Sequence, residues 1–86
     1  MNNFIKEFNT VNCCSATVIL KHVLFDSQTC HCEELHIIND DTKIGVVLKN
    51  QEIYIHKQEI TALEHSNNVY TLSDGRLTIT IIINNL

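Results

Sequence analysis

The sequence predicts a mainly β domain: an antiparallel meander closed into a small barrel or a two-layer roll, with a short N-terminal helix. The chain is rich in isoleucine, valine and threonine, which favour strands, and it contains no proline and only two glycines. Asp74-Gly75, between two alternating runs, is typical of a tight hairpin, with both residues at positive φ. After this turn, aliphatic residues and threonines alternate through residues 77–83, which is the period of a half-buried strand.

Length and charge limit the organisation of the chain and the classes of function. With 86 residues we expect one small β domain over 1–86, made of an N-terminal segment 1–12 and a meander 13–86. The formal net charge is −4 and the basic residues are scattered, which disfavours nucleic acid as a partner. No apolar run approaches the length of a membrane span or a signal-peptide core, so we expect no membrane association and a cytoplasmic location. Usage rich in asparagine, isoleucine and lysine is typical of an AT-rich genome, and we expect a protein of a bacterium or its phage.

The first third of the chain leaves a choice between helix and strand. Apolar residues in 3–11 recur with the spacing i, i+1, i+4 and i+7, which predicts one face of a short helix capped by Asn2 or Asn3. A first strand is the alternative. Residues 16–25 are apolar on both alternating faces, which fits a central strand or a buried helix, and their β-branched side chains favour the strand. The polar residues 26–28 then predict a turn.

Short strands and turn signals alternate along the rest of the chain. The predicted strands are 30–38, 43–48, 52–56 and 59–65, followed by the two strands of a hairpin over 70–83. The predicted turns and breaks between them are 39–41, 50–51, 57–58 and 66–68. Seven strands in so short a chain must curl into a barrel or a roll, because a single open sheet cannot bury its own face.

Cysteine and histidine cluster around Cys30, Cys32 and His36. On one strand these three side chains point to the same side, and thiolate and imidazole are the ligands of zinc. However, residues i and i+2 on a strand lie about 7 Å apart, which is too far for easy shared chelation. We therefore predict no metal and no cofactor, and keep these residues as weak candidates for a zinc or redox module that also involves Cys13 and Cys14. A disulfide from Cys13 or Cys14 to Cys30 or Cys32 is an alternative, but a chain without a secretion signal favours free thiols.

The sequence offers no arrangement that indicates catalysis. Nothing in it places a base and an orienting group around one thiol, and it has no glycine-rich phosphate loop. We therefore predict that the protein is not an enzyme and has no catalytic residues.

A nucleic-acid-binding small barrel is an alternative function. The stretches 47–54 and 67–72 resemble the strand–turn–strand rhythm of Sm-like and SH3-like barrels, and this resemblance implies an RNA-binding fold. Residues 55–58 lack the glycine that Sm-like sequences usually carry there. The face that would contact bases is Tyr54 with the lysines near it in sequence, Lys43, Lys49 and Lys57.

The favoured function is that of a non-catalytic protein-interaction module, such as a small inhibitor or a regulatory accessory protein. The C-terminal strand has no charge after Arg76 and no proline, so at a sheet edge it would lack protection against pairing with another chain. Unless the barrel closes over this strand, we expect a protein partner or self-association, including a homodimer, through strand addition. The predicted interaction edge consists of Leu77, Thr78, Ile79, Thr80, Ile81, Ile82 and Ile83.

Overall fold

The computed structural model describes residues 2–84, which form one short helix and eight strands in two antiparallel sheets. Helix α1 spans Asn2–Phe8 and continues as a 3₁₀ turn over Asn9–Val11. The strands are β1 Ala16–His22, β2 Phe25–Cys32, β3 His36–Asn39, β4 Lys43–Leu48, β5 Gln51–His56, β6 Ala62–Ser66, β7 Val69–Ser73 and β8 Leu77–Ile83. A second 3₁₀ turn, Lys57–Glu59, precedes β6. The predicted mainly β class with an N-terminal helix is confirmed.

The eight strands form two layers. One sheet has the strand order β2-β1-β8-β7-β6 and the other has the order β3-β4-β5. The sheets do not close into a barrel, so of the two predicted architectures the two-layer roll describes the molecule. Because β8 pairs with β1, the last strand returns beside the first, and the chain forms the β1–β2 hairpin and two short meanders.

The core lies between the two sheets and is closed at one side by the helix. Alternate residues of the strands point into it, as the period-two pattern requires. The largest side chains that are buried almost completely are Phe8, Val18, Leu35, Ile44, Val46, Ile55, Leu72, Ile79 and Ile81. None of these is charged or polar, and the part of the chain that the structure describes has no buried side-chain nitrogen or oxygen without a hydrogen-bond partner.

Helix α1 is held by an aromatic cluster and by polar contacts at its rim. The rings of Phe4 and Phe8 stack with centroids 5.8 Å apart, and both meet the ring of Tyr70 edge-on. At the rim, the side chain of His65 contacts Glu7 and its ring stacks on Tyr70 with centroids 3.9 Å apart. A helix of seven residues is marginal alone, so this packing explains why the segment is helical.

The β1–β2 hairpin turns earlier than the sequence pattern indicates. Residues 26–28, predicted as a turn, belong to β2, and the turn itself is Val23-Leu24. The N–H of Leu24 donates to Nδ1 of His22, and the N–H of Val23 donates to the carbonyl oxygen of Arg76 in another hairpin. These two bonds stabilise a turn that has none of the usual turn residues.

The predicted strand 30–38 is two strands. It is interrupted after Cys32, and β3 starts at His36. In the interruption, the side chain of Leu35 is fully buried. Its main chain pairs with the residues before β1: the Leu35 N–H donates to the carbonyl oxygen of Cys14, and the Leu35 carbonyl oxygen accepts from the N–H of Cys13. The chain thereby crosses from one sheet to the other at this point, which local alternation does not reveal.

Other boundaries also differ from the prediction by one to three residues. The turn between β4 and β5 is Lys49-Asn50, with φ of 51° and 66°, rather than 50–51. The segment predicted as strand 59–65 starts with the end of a 3₁₀ turn, and β6 begins only at Ala62.

Asp74 and Gly75 stabilise the last hairpin in different ways. Gly75 has φ of 91°, whereas Asp74 is not in the positive-φ region, so the prediction of two positive-φ positions was wrong for Asp74. Its carboxylate Oδ1 accepts hydrogen bonds from the N–H groups of Arg76 and Leu77, each at 2.8 Å. The bond from Leu77, followed by that from Arg76, holds the pKa of the Asp74 carboxyl below its usual range.

We expect the stability of the fold to decrease at acid pH partly through Asp74. Because its pKa is lower in the folded than in the unfolded chain, the carboxylate contributes stability above about pH 4, and this is lost as the pH falls through the folded-state pKa. Asp74→Asn keeps a carbonyl acceptor but cannot titrate. Urea unfolding at pH 7 and pH 3 should therefore show a smaller loss of unfolding free energy for the variant, and an equal loss would contradict the prediction.

Candidate protein-interaction surface

The C-terminal strand is not an edge. β8 pairs along one side with all of β1 and along the other with β7, so it is the central strand of the five-stranded sheet. The prediction that 77–83 forms an interaction edge is therefore wrong. A strand paired on both sides has no free main-chain groups to offer another chain.

The three weak metal candidates share a surface depression without forming a metal site. Cys30, Cys32 and His36 line an open depression of about 290 Å³ beside the β4–β5 turn. In residues 2–84, no three side chains of histidine, cysteine, aspartate or glutamate are placed to hold a metal ion. All four cysteines are free, so the alternative of a disulfide between the N-terminal pair and β2 is not formed.

The environments of two thiols disfavour nucleophilic chemistry. A hydrogen bond with the Glu34 carboxylate is the main factor that raises the pKa of Cys13. Partial burial, and after it the neighbouring Cys30, raises the pKa of Cys32. Since the thiolate is the reactive form of cysteine, both shifts reduce reactivity at neutral pH.

The face around Tyr54 holds one of the three lysines predicted to surround it. Nζ of Lys43 lies 4.7 Å from the centroid of the Tyr54 ring, and it also bonds the carboxylate of Glu52 at 3.2 Å. That carboxylate raises the pKa of Lys43 and offsets its charge. Lys49 lies in the turn before β5 and Lys57 directly after β5, so these two lysines are at opposite ends of the strand.

Among residues 2–84, the most exposed large apolar side chains lie at the end of the β1–β2 hairpin, which we call the apolar tip: Val23, Leu24 and Phe25. Their exposed fractions are 69%, 77% and 71%. The tip is held by the two turn hydrogen bonds described above, and the Phe25 ring packs against the imidazole of His22 with centroids 5.2 Å apart. Three consecutive large apolar side chains are therefore exposed to solvent at a turn whose backbone is held by hydrogen bonds.

A shallow depression adjoins the apolar tip. It has a volume of about 170 Å³ and is lined by Leu20, His22, Phe25, Asp26, Gln28 and Leu77. Single apolar residues on a surface are common, whereas a contiguous exposed group with a polar rim is typical of an interaction site.

Sequence reasoning missed the apolar tip because residues 16–25 look like one uninterrupted buried strand. The polar pair Lys21-His22 inside this apolar run is the signal that could have indicated its end. Valine and leucine in a two-residue turn are exceptional, since such turns usually contain glycine, asparagine or aspartate.

No protein-family model matches the chain, and no curated protein or solved structure is significantly similar to it. Within residues 2–84 there is no helix with the length and apolar character needed to cross a membrane. Function therefore has to be inferred from the surface of the molecule.

Proposed function

We propose that the protein is a non-catalytic protein-interaction module that binds its partner through the apolar tip. The observation that carries this proposal is the exposure of Val23, Leu24 and Phe25, each about 70% exposed or more. Such surface costs free energy in water, and it is recovered when a partner covers it.

The energetics support insertion of the tip into an apolar pocket of a protein. Full burial of one side chain such as leucine or phenylalanine is worth about 1.5–3 kcal/mol, and a few buried anchors supply most of the affinity of an interface. Because the tip closes an antiparallel hairpin and its turn is hydrogen-bonded, little conformational freedom is lost on binding. A small inhibitor or regulatory accessory protein would use a loop in this way.

The charged residues around the apolar tip indicate what kind of pocket the partner would have. Asp26 adjoins the tip on one side, and Lys21 and Arg76 lie on the neighbouring strand and hairpin. A pocket with an apolar floor and charges of both signs at its rim would complement this surface. Four free thiols favour a partner in the cytoplasm, where they would stay reduced.

The proposal is tested with the double variant Leu24→Ser/Phe25→Ser. We expect the wild type to capture a stoichiometric protein partner from extracts of the source cell, and the double variant to bind that partner at least about 100-fold more weakly, because two anchor side chains are lost. Affinity of the purified pair is the measurement.

The matched control is Tyr54→Ser, which removes the exposed aromatic residue of the other sheet. This variant should bind the partner with wild-type affinity. Urea unfolding of the double variant should stay within about 0.5 kcal/mol of wild type, because the tip packs little against the core. Absence of any stoichiometric partner, or equal binding by the double variant, would refute the proposal.

A further inference from the structure

The turn that carries the apolar tip depends on a side chain of the preceding strand. Val23 and Leu24 form this turn, and His22 and Phe25 pair with each other on either side of it. Neither turn residue has the positive φ that is usual in a two-residue hairpin turn. Instead, the N–H of Leu24 donates to Nδ1 of His22 at 3.1 Å. An imidazole nitrogen is therefore one of the acceptors that hold the turn.

The direction of this hydrogen bond determines the protonation state of His22 in the structure. A main-chain N–H is always a donor, so Nδ1 is the acceptor and carries no proton. The imidazole is therefore neutral, with its proton on Nε2. A second proton would place one N–H against another, and the hydrogen bond from Leu24 would be lost. Histidine is the side chain that takes up such a proton near neutral pH, ordinarily around pH 6.5.

Residues of both charges lie on the elements next to His22, which is itself half-buried. They are Lys21 in β1, Asp26 in β2, and Asp74 and Arg76 in the turn before β8. Leu77, the residue paired with His22 on β8, carries no charge. Asp26 lines the same shallow depression as the imidazole, so its carboxylate is the group towards which a protonated ring would turn.

We propose that His22 is a pH-sensitive switch for the apolar tip: the neutral imidazole holds the tip in the conformation that binds the partner, and the imidazolium releases it. The inference rests on the proposed function, because it concerns the affinity of the same surface. When the ring turns away, the turn loses its hydrogen bond from Leu24, and Phe25 loses the ring that lies 5.2 Å from its own. The released tip must then be ordered on binding, which costs affinity.

The switch weakens binding on the acid side. Because the partner binds the form with neutral His22, its affinity is fully present above about pH 7.5 and falls as the pH decreases through the titration of the imidazole. One neutral hydrogen bond corresponds to a change of about fivefold in an equilibrium constant. We therefore expect the partner to bind about fivefold more weakly at pH 5 than at pH 7.5.

Nuclear magnetic resonance of the purified full chain tests the switch without a partner. Between pH 7.5 and pH 5, the amide resonance of Leu24 should shift with the same midpoint as the imidazole nitrogens of His22. His22→Asn is the decisive variant, because the asparagine carbonyl accepts the N–H two residues further on and does not titrate. In this variant the Leu24 resonance should stay constant. His56→Asn, which removes an exposed histidine of β5, is the matched control and should titrate like wild type.

Affinity of the purified pair tests the consequence for recognition. The wild type and His56→Asn should lose about fivefold in affinity between pH 7.5 and pH 5, whereas His22→Asn should lose less. Titration of groups on the partner affects all three proteins equally, so the difference between the variants reports on His22 alone.

The outcomes distinguish this inference from the proposed function. A Leu24 amide that does not follow the titration of His22, or a His22→Asn variant whose binding has the pH dependence of wild type, would overturn the switch. Capture of the partner through the apolar tip at pH 7.5 would still support the proposed function in either case. A turn that titrates as expected in a protein that captures no partner would refute the proposed function, and the control of the turn by His22 would stand.

Discussion

Replacing Gly45 by alanine is expected to destabilise the fold by about 3 kcal/mol, because the new methyl group has no space. Gly45 lies on β4, the middle strand of the three-stranded sheet, opposite Tyr54. A Cβ atom there would come within 2.0 Å of the carbonyl oxygen of Ile53 and 2.5 Å of the Cα of Tyr54. These are backbone atoms, so relief requires that β5 move away from β4 and that ladder hydrogen bonds lengthen.

The other glycine of the chain provides the control. Gly75 has φ of 91°, but a Cβ there would meet nothing closer than the Thr61 side chain at 3.9 Å. Gly75→Ala therefore costs only backbone strain, about 1 kcal/mol. Urea unfolding of both variants separates the steric clash at Gly45 from the backbone strain at Gly75. Equal losses of unfolding free energy in the two variants would show that the close approach of β5 is not the reason for a glycine at position 45.

Phe8→Ala is expected to cost about 4 kcal/mol, which is a large part of the total stability of a domain of this size. The Phe8 ring is 0% exposed and packs between Phe4 and Tyr70. Its removal leaves a cavity and also releases the contact that docks helix α1. We expect the melting temperature to fall by about 20 °C, measured by circular dichroism.

Phe25→Ala is the matched control, since it removes the same side chain from a position that is 71% exposed. Its unfolding free energy should lie within about 0.5 kcal/mol of wild type. The two variants together separate stability from recognition: Phe8→Ala acts on the fold, and Phe25→Ala acts on the apolar tip. A large loss of unfolding free energy in Phe25→Ala would show that this ring packs in the core. That result would contradict the interpretation of the apolar tip as an exposed binding surface.

Elements with strong local patterns were predictable from the sequence. The helix in 3–11, the strand in 43–48 and the alternation of 77–83 correspond to elements of the structure, because each depends on which side chains of one short segment are apolar. The break at Leu35 and the turn at Val23-Leu24 were not predictable in this way. Both are stabilised by main-chain partners distant in sequence, Cys14 in one case and Arg76 in the other.

The candidate site depended still more on tertiary structure. The sequence indicated an unprotected edge strand and assigned it to 77–83, whereas β8 is internal and the sheet edges of residues 2–84 are β2, β6, β3 and β5. Which strand is internal depends on pairing between residues far apart, such as Ala16 with Ile83, and no local pattern encodes that pairing. Likewise, the apolar sequence of residues 16–25 predicts a buried segment, whereas its end, residues 23–25, is exposed in the structure.

The sequence alone determined the fold class and the buried face of the last strand, because the periodicity of apolar side chains follows from backbone geometry, and it favoured the N-terminal helix without excluding a strand. Only the tertiary structure decided which strands are edges and which apolar residues stay in water. Those properties depend on long-range strand pairing and on the limited area that three strands can cover when they pack against five.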